Sequence, residues 1–168
     1  MKRLTLLLIA AVVAASCNDE ITGLGPPSNP ATETFAASLG VDIPQMSKTA
    51  LGVYYKDLVA GSTDTLLIVT TATDSVKVTY AGYLKDGKLF DSGTGVTFQP
   101  SGLIKGFRDG MLGMGEGGKR KLVIPSELGY GGQSIKNVDQ TIKIPRQSTL
   151  IFDVEMLKVY RPTPANPT

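Results

Sequence analysis

Val76-Lys77-Val78-Thr79-Tyr80-Ala81-Gly82-Tyr83-Leu84-Lys85-Asp86-Gly87-Lys88-Leu89-Phe90-Asp91-Ser92 is the stretch whose reading decides the fold. Val76, Val78 and Tyr80 alternate with Lys77, Thr79 and Ala81, the period of a strand with one buried face. Asp86-Gly87, set between Leu84 and Leu89-Phe90, reads as a tight turn that sends the chain back antiparallel. Further out, Lys121–Ile124 is a short strand closed by Pro125. Leu150, Phe152, Val154 and Met156 alternate with Ile151, Asp153, Glu155 and Leu157, another strand with a clear inner face. Gly52–Val59 and Thr65–Thr70 read as extended, with β-branched residues. The one helical candidate is short, Lys105–Met111, with Ile104, Phe107, Met111 and Leu112 at helical spacing. The expectation is an α+β domain over residues 51–160, five or six strands in an antiparallel sheet folded over one short helix. Such a fold places a ligand cavity between sheet and helix.

Composition narrows the chemistry. The chain has 168 residues, enough for one compact domain, and 42% of them are apolar. It has 17 basic residues; without Lys2 and Arg3 that leaves 15, equal to the 15 acidic ones, so the remainder is neutral. A neutral domain lacks the clustered cations on which nucleic-acid binding leans. With no histidine, Ser-His-Asp and Cys-His catalysis and His-ligated metals are excluded. With one cysteine, neither an intrachain disulfide nor a multi-cysteine metal cage is available. No cofactor and no metal are expected. Carboxylates, hydroxyls, backbone amides and shape remain.

The N-terminal residues read as an address. Lys2 and Arg3 precede an apolar run, Leu4 to Ala15, too short to span a bilayer, and Ala14, Ala15 and Ser16 lead into Cys17. The run resembles a bacterial lipoprotein signal, residues 1–16, with Cys17 lipidated; the alternative is an ordinary secretory signal cleaved near Ala15. Lipidation would anchor the protein to a membrane of the bacterial cell envelope, at its periplasmic face or the cell surface. Residues 17–50, with Pro26, Pro27, Pro30, Gly23 and Gly25, read as a flexible tether, within which Phe35, Leu39 and Val41 either form a short turn or pack on the domain. Residues 161–168 read as a frayed tail. No long dimerisation helix is present, which points to a monomer.

Gly113-Met114-Gly115-Glu116-Gly117-Gly118 matches G-x-G-x-x-G, the dinucleotide fingerprint. That fingerprint needs a strand before it and a helix after it, whose N-terminus holds the phosphates. Here a helix precedes and a strand follows, so the stretch reads as a glycine-rich connection.

Five segments, in order, resemble the FKBP-type prolyl isomerases: Val78–Gly82, Asp86–Ser92, Leu103–Phe107, Gly129–Gly131 and Thr149–Glu155. The resemblance covers Leu51 to Val159. It implies a bent antiparallel sheet wrapped around one short helix, with an aromatic pocket for a proline side chain. Tyr80, Phe90, Asp91, Leu103, Ile104, Phe107, Tyr130 and Phe152 match pocket positions of the family, with Phe98 on a nearby aromatic position and Ile144 on an apolar one in the loop over the pocket. Phe107 stands where the family usually has tryptophan, the loop from Gly131 to Pro145 is longer than in the smallest members, and an arginine often found just after the Phe-Asp pair is missing.

The implied activity is cis/trans isomerisation of Xaa-Pro bonds in proline-containing or unfolded exported polypeptides, with Asp91, Tyr130 and Ile104 as catalytic residues. Tyr130 and the Ile104 amide would hydrogen-bond the substrate, while Asp91 would either answer the changing dipole of the carbonyl or orient Tyr80. Tyr80, Phe90, Phe98, Leu103, Phe107, Ile144 and Phe152 would bind the substrate. Each has a plainer alternative. Phe152 and Tyr80 lie on strand inner faces and can serve as core, and Asp91 taken alone is a turn carboxylate. Two rival functions stand beside the enzyme: a peptide-gripping chaperone module without useful turnover, and a purely structural envelope lipoprotein.

Overall fold

In the computed structural model of the protein, residues 25–71, 74–99 and 102–161 are described; the signal segment, Cys17 and most of the tail lie outside them. Eight strands and one helix follow in order: β1 (Ser47–Lys48), β2 (Tyr54–Val59), β3 (Ser75–Leu84), β4 (Leu89–Phe98), α1 (Lys105–Met111), β5 (Lys119–Ile124), β6 (Ile135–Lys136), β7 (Ile142–Ile144) and β8 (Leu150–Tyr160). Six of them form one antiparallel sheet in the order β1-β2-β5-β8-β3-β4, while β6 and β7 pair as a separate hairpin. The α+β expectation holds, with the sheet at the upper end of its strand count.

The opening stretch folds as its pattern requires. Val76 and Val78 of β3 are buried on the helix side, and the turn after Leu84 places Gly87 at a φ of 89°, where a side chain would be strained. The Leu84 and Gly87 amides donate across the turn to Lys88 O and Leu84 O, both at 2.9 Å. β4 runs on to Phe98, well beyond Phe90. Register shifts between Val78 and Tyr80 and between Gly82 and Tyr83 mark bulges that strengthen the local twist.

Thr65–Thr70 is not a strand. The Asp64 carboxylate accepts the Leu66 amide at 2.9 Å and starts a 3-10 turn, Thr65–Leu67, after which Ile68 makes a single bridge to Gly115. A short polar side chain that captures a nearby amide overrides β-branched preference here.

Helix α1 lies unusually close to the sheet, and two glycines allow it. A Cβ on Gly106 would stand 2.3 Å from Ile124 Cγ2, and one on Gly110 2.8 Å from Leu122 Cδ2. Each glycine costs roughly 1 kcal/mol of helix propensity, which the packing of Phe107 and Met111, both 3% exposed, offsets. Arg120 of β5, itself 6% exposed, secures the end of the helix. It donates through Nη1 to Gly110 O at 3.0 Å and Leu112 O at 2.9 Å, carbonyls that a helix end leaves unpaired. It also grips Asp57 bidentately at 2.6 and 3.1 Å and lies 4.5 Å over the Tyr55 ring.

The tether expectation is corrected over much of its length. Leu39, 5% exposed, joins Val123 and Ile151 in a second apolar cluster, with Phe35, Val41, Ile43, Met46, Tyr54 and Tyr83 packed around it. Val123 and Ile151 alternate with core residues along β5 and β8, so this cluster lies on the sheet's other face. Both readings of the Phe35–Val41 stretch hold together, since Ala37–Leu39 is a 3-10 turn and also packs. An exposed apolar sheet face needs cover, and the nearest apolar chain supplies it.

The glycine-rich connection is structural. Cβ atoms on Gly115 and Gly118 would meet backbone, at 2.1 Å from Ser62 O and 3.1 Å from Gly61 N respectively, because the chain at Gly61–Ser62 lies directly against them.

Candidate functional site: an aromatic cavity between sheet and helix

A cavity of about 230 Å³ opens between the inner face of the sheet and α1, lined by Tyr80, Phe90, Asp91, Phe98, Gly102, Leu103, Ile104, Phe107, Tyr130 and Phe152. Nine of the ten residues singled out in the sequence thus meet around one hollow. Its size is below the roughly 300–1,000 Å³ of sites for drug-sized ligands, and nearer that of one side chain with its backbone.

The walls are built from rings on four different elements. Phe107 of α1 packs edge-on against Phe152 of β8 at 4.9 Å between centroids, and stands 6.2 Å from Tyr80 of β3 and 6.3 Å from Phe98 of β4. Phe90 meets Phe152 at 5.5 Å and 88°. Such edge-to-face pairs are worth about 0.5–1.5 kcal/mol each beyond their burial. Gly82 makes the arrangement possible: a Cβ there would stand 2.7 Å from the Phe152 ring and 2.8 Å from the Phe90 ring. A glycine interrupting a strand pattern signals such an approach, and is how Gly82 could have been singled out beforehand.

Phe152 is 6% exposed within the core and also lines the cavity. Phe107, 3% exposed, does the same. Ile144 is the exception. It is 2% exposed within the main core and does not reach the cavity wall; on β7 it pairs with Ile135, which holds the hairpin down. Its neighbour Lys143 instead approaches the mouth, with Nζ 3.9 Å from Asp91 Oδ1. The alternation Ile142-Lys143-Ile144 is the signal that a strand presents Lys143 opposite its apolar neighbours. The carboxylate that lacks an arginine on its own strand has a cation from the hairpin.

Polar groups sit at the rim. Tyr80 donates from Oη to Asp91 Oδ2 at 2.9 Å, so Asp91 is placed to orient Tyr80. Burial, then the Asp91 hydrogen bond and charge, and then Tyr130, push the Tyr80 phenol up to about 12. Burial and then the Asp91 charge raise Tyr130 as well. Both phenols are therefore neutral donors at any physiological pH. Among the described residues, neither the Tyr130 hydroxyl nor the Ile104 amide donates to a protein acceptor. Two donors at a cavity rim without partners are what an incoming carbonyl needs.

Fold and lining together define an α+β domain whose cavity has the shape and character for an apolar group, with no nucleophile–base pair on its wall among the described residues. A family model described as FKBP-type peptidyl-prolyl cis-trans isomerase matches residues 69–157. A probable FKBP-type peptidyl-prolyl cis-trans isomerase of Haemophilus influenzae is 45% identical over 115 residues, 66% of this chain and 44% of that protein. An FK506-binding protein of Neisseria meningitidis is 47% identical over 91 residues, 51% of this chain and 79% of that protein. Among solved structures, a peptidyl-prolyl cis-trans isomerase from Pseudomonas syringae matches with a TM-score of 0.60 at 29% identity, covering 74% of this chain and 87% of that one. The chain belongs to the FKBP-type peptidyl-prolyl cis-trans isomerase family. It spans less than half the length of the Haemophilus relative and about four fifths of the Neisseria one.

Proposed function

We propose that this protein accelerates rotation about Xaa-Pro bonds in polypeptides by stabilising the twisted amide, without covalent chemistry. An amide resists rotation by about 18–20 kcal/mol because resonance gives its C–N bond double-bond character. Uncatalysed exchange takes roughly tens of seconds; bringing it to milliseconds is ~10⁴-fold, or about 5–6 kcal/mol. The twisted amide has lost that resonance and its carbonyl is less polar. A dry aromatic hollow favours it over the planar form, which is binding that acts on the transition state. The observation that carries this reading is the gathering of six aromatic rings around one cavity, with two donors that have no protein acceptor among the described residues.

In this reading Tyr80, Phe90, Phe98, Phe107 and Phe152 hold the prolyl ring and Leu103 and Ile104 wall it. The Ile104 amide and the Tyr130 hydroxyl fix the substrate carbonyls. Asp91 holds Tyr80 at the rim, beside the rotating bond. A protease-coupled isomerisation assay on an Xaa-Pro peptide tests it. Wild type turns over, and Asp91→Ala with Tyr130→Phe lowers kcat/KM by about 10–100-fold, the loss of one or two hydrogen bonds. Peptide binding without turnover would favour the chaperone reading, for which the smaller Phe107 ring is the supporting feature.

The same reading takes in location. Lys2, Arg3, the apolar run and Cys17 support a lipid anchor in the bacterial envelope, and hence exported clients. Cys17→Ser is expected to move the protein from the membrane to the soluble fraction; an unchanged distribution would count against the anchor.

A further inference from the structure

Tyr130 reaches the cavity from the loop after the 3-10 turn Ser126–Leu128, and that loop is held by a closed ring of hydrogen bonds. Both glycines beside Tyr130 donate to one acceptor: Gly129 N at 2.9 Å and Gly131 N at 2.8 Å reach Ser126 O. Gly131 O in turn accepts from Gln147 N at 2.7 Å, and the Gln147 side-chain oxygen accepts from Ser126 Oγ at 2.9 Å. Gln147 holds a φ of 56°, a left-handed conformation uncommon for a residue with a side chain. Ser126, 0% exposed, is the hub.

The last partner of the hub comes from the other end of the chain. Ser28 N donates to Ser126 Oγ at 2.9 Å, and Ser126 N donates to Ser28 Oγ at 2.7 Å. The two serines clasp reciprocally across 98 positions of sequence. With both bonds made, Ser126 Oγ accepts once and donates once, and among the described residues its buried amide is satisfied by Ser28 alone. Neither Ser28 nor Ser126 lines the aromatic cavity.

We propose that Ser28 and Ser126 are positioning residues for Tyr130. The segment that leads into the domain from the N-terminus closes the ring that aims the Tyr130 hydroxyl at the bound substrate. This rests on the isomerase reading of the cavity. Its chemistry is a matter of entropy: a loop hydroxyl can stabilise a transition state only if its backbone is held before the substrate arrives. The clasp supplies that hold from a residue outside the site. It also makes the entering segment a part of the catalytic unit, so truncation after Ser28 would have the effect of the Ser28 variant.

A double-mutant cycle tests this. The kcat/KM of wild type, Ser28→Ala, Tyr130→Phe and the double variant is measured on one Xaa-Pro peptide, with urea midpoints to follow stability. Ser28→Ala is expected to lower kcat/KM about fivefold in the wild-type background and to change it within about twofold once Tyr130 has lost its hydroxyl. Equal losses in both backgrounds, or no loss in either, would overturn the proposal. Tyrosine ring NMR signals give a second readout independent of turnover. Ser28→Ala and Ser126→Ala should shift or broaden the Tyr130 ring signal while leaving Tyr80 in place, and an unmoved Tyr130 signal overturns it. A wild-type protein without turnover would sink the isomerase reading, and the ring signals would still decide the clasp.

Discussion

Both faces of the central sheet carry an apolar cluster, yet the hollow ringed by aromatic side chains lies on the inner one. On the inner face a regular helix is the cover, and two glycines let it lie close to β5. A rigid rod touching along one line cannot fill the curve beyond its end, and rings from β3, β4 and β8 with Phe107 border what remains. On the outer face the cover is irregular chain, residues 35–46, whose short 3-10 turns seat Leu39 against Val123 and Ile151. Irregular backbone follows the surface that it covers, whereas a helix touches a curved sheet along a line and leaves room for aromatic rings beside it.

The largest expected effect is on the stiff cover itself. Gly106→Val places its side chain where Ile124 Cγ2 already lies and forces α1 off the sheet. The loss is expected to be about 3 kcal/mol or more of stability, read by urea unfolding, with peptide binding lost in the folded fraction. Full stability would mean that the helix is not held by close approach.

Next comes the soft cover. Leu39→Ala should cost about 2–3 kcal/mol through the cavity it leaves, while kcat/KM of the folded protein stays unchanged. Lost activity at unaltered stability would erase the division of labour between the faces.

A smaller effect is electrostatic. Because the native Tyr80 phenol sits at about 12 against 10.0 when unperturbed, the folded state holds this proton more tightly. Its contribution is fully present below pH 10 and fades as pH rises towards 12. Ultraviolet titration of the tyrosinates should show late-ionising groups, Tyr80 and Tyr130, of which Tyr80→Phe removes one and Asp91→Asn brings Tyr80 earlier. Titration of all tyrosines together would contradict the burial and hydrogen bond assigned to it.

Smallest of all is Lys143→Ala. At 3.9 Å from a half-exposed Asp91, this pair should alter kcat/KM by no more than about twofold, and less in high salt. A tenfold loss would place Lys143 among the catalytic residues.

Legibility followed the range of the interactions. The alternation in β3 and β8, the short strand before Pro125, the Asp86-Gly87 turn and the short helix are local patterns, and the fold contains each of them. Thr65–Thr70 misled because Asp64 captures an amide, a local competition that β-branched composition hides. β6 and β7 are two and three residues long, too short for a period to show, and Ile144 was accordingly assigned to the cavity rather than to the core beneath the hairpin. Ser28 carried no signal at all, since its partner is 98 positions away.

By itself the sequence determined the strand periods, the turn, the exclusion of histidine and disulfide chemistry, and, through five ordered segments, the family. All of these depend on neighbours along the chain. Only tertiary structure decided how close the helix lies, that residues 35–46 dock on the outer face rather than hang free, and which apolar side chains face the hollow. These outcomes are set by steric fit between segments far apart in sequence, and a one-dimensional pattern carries no record of distance across the fold.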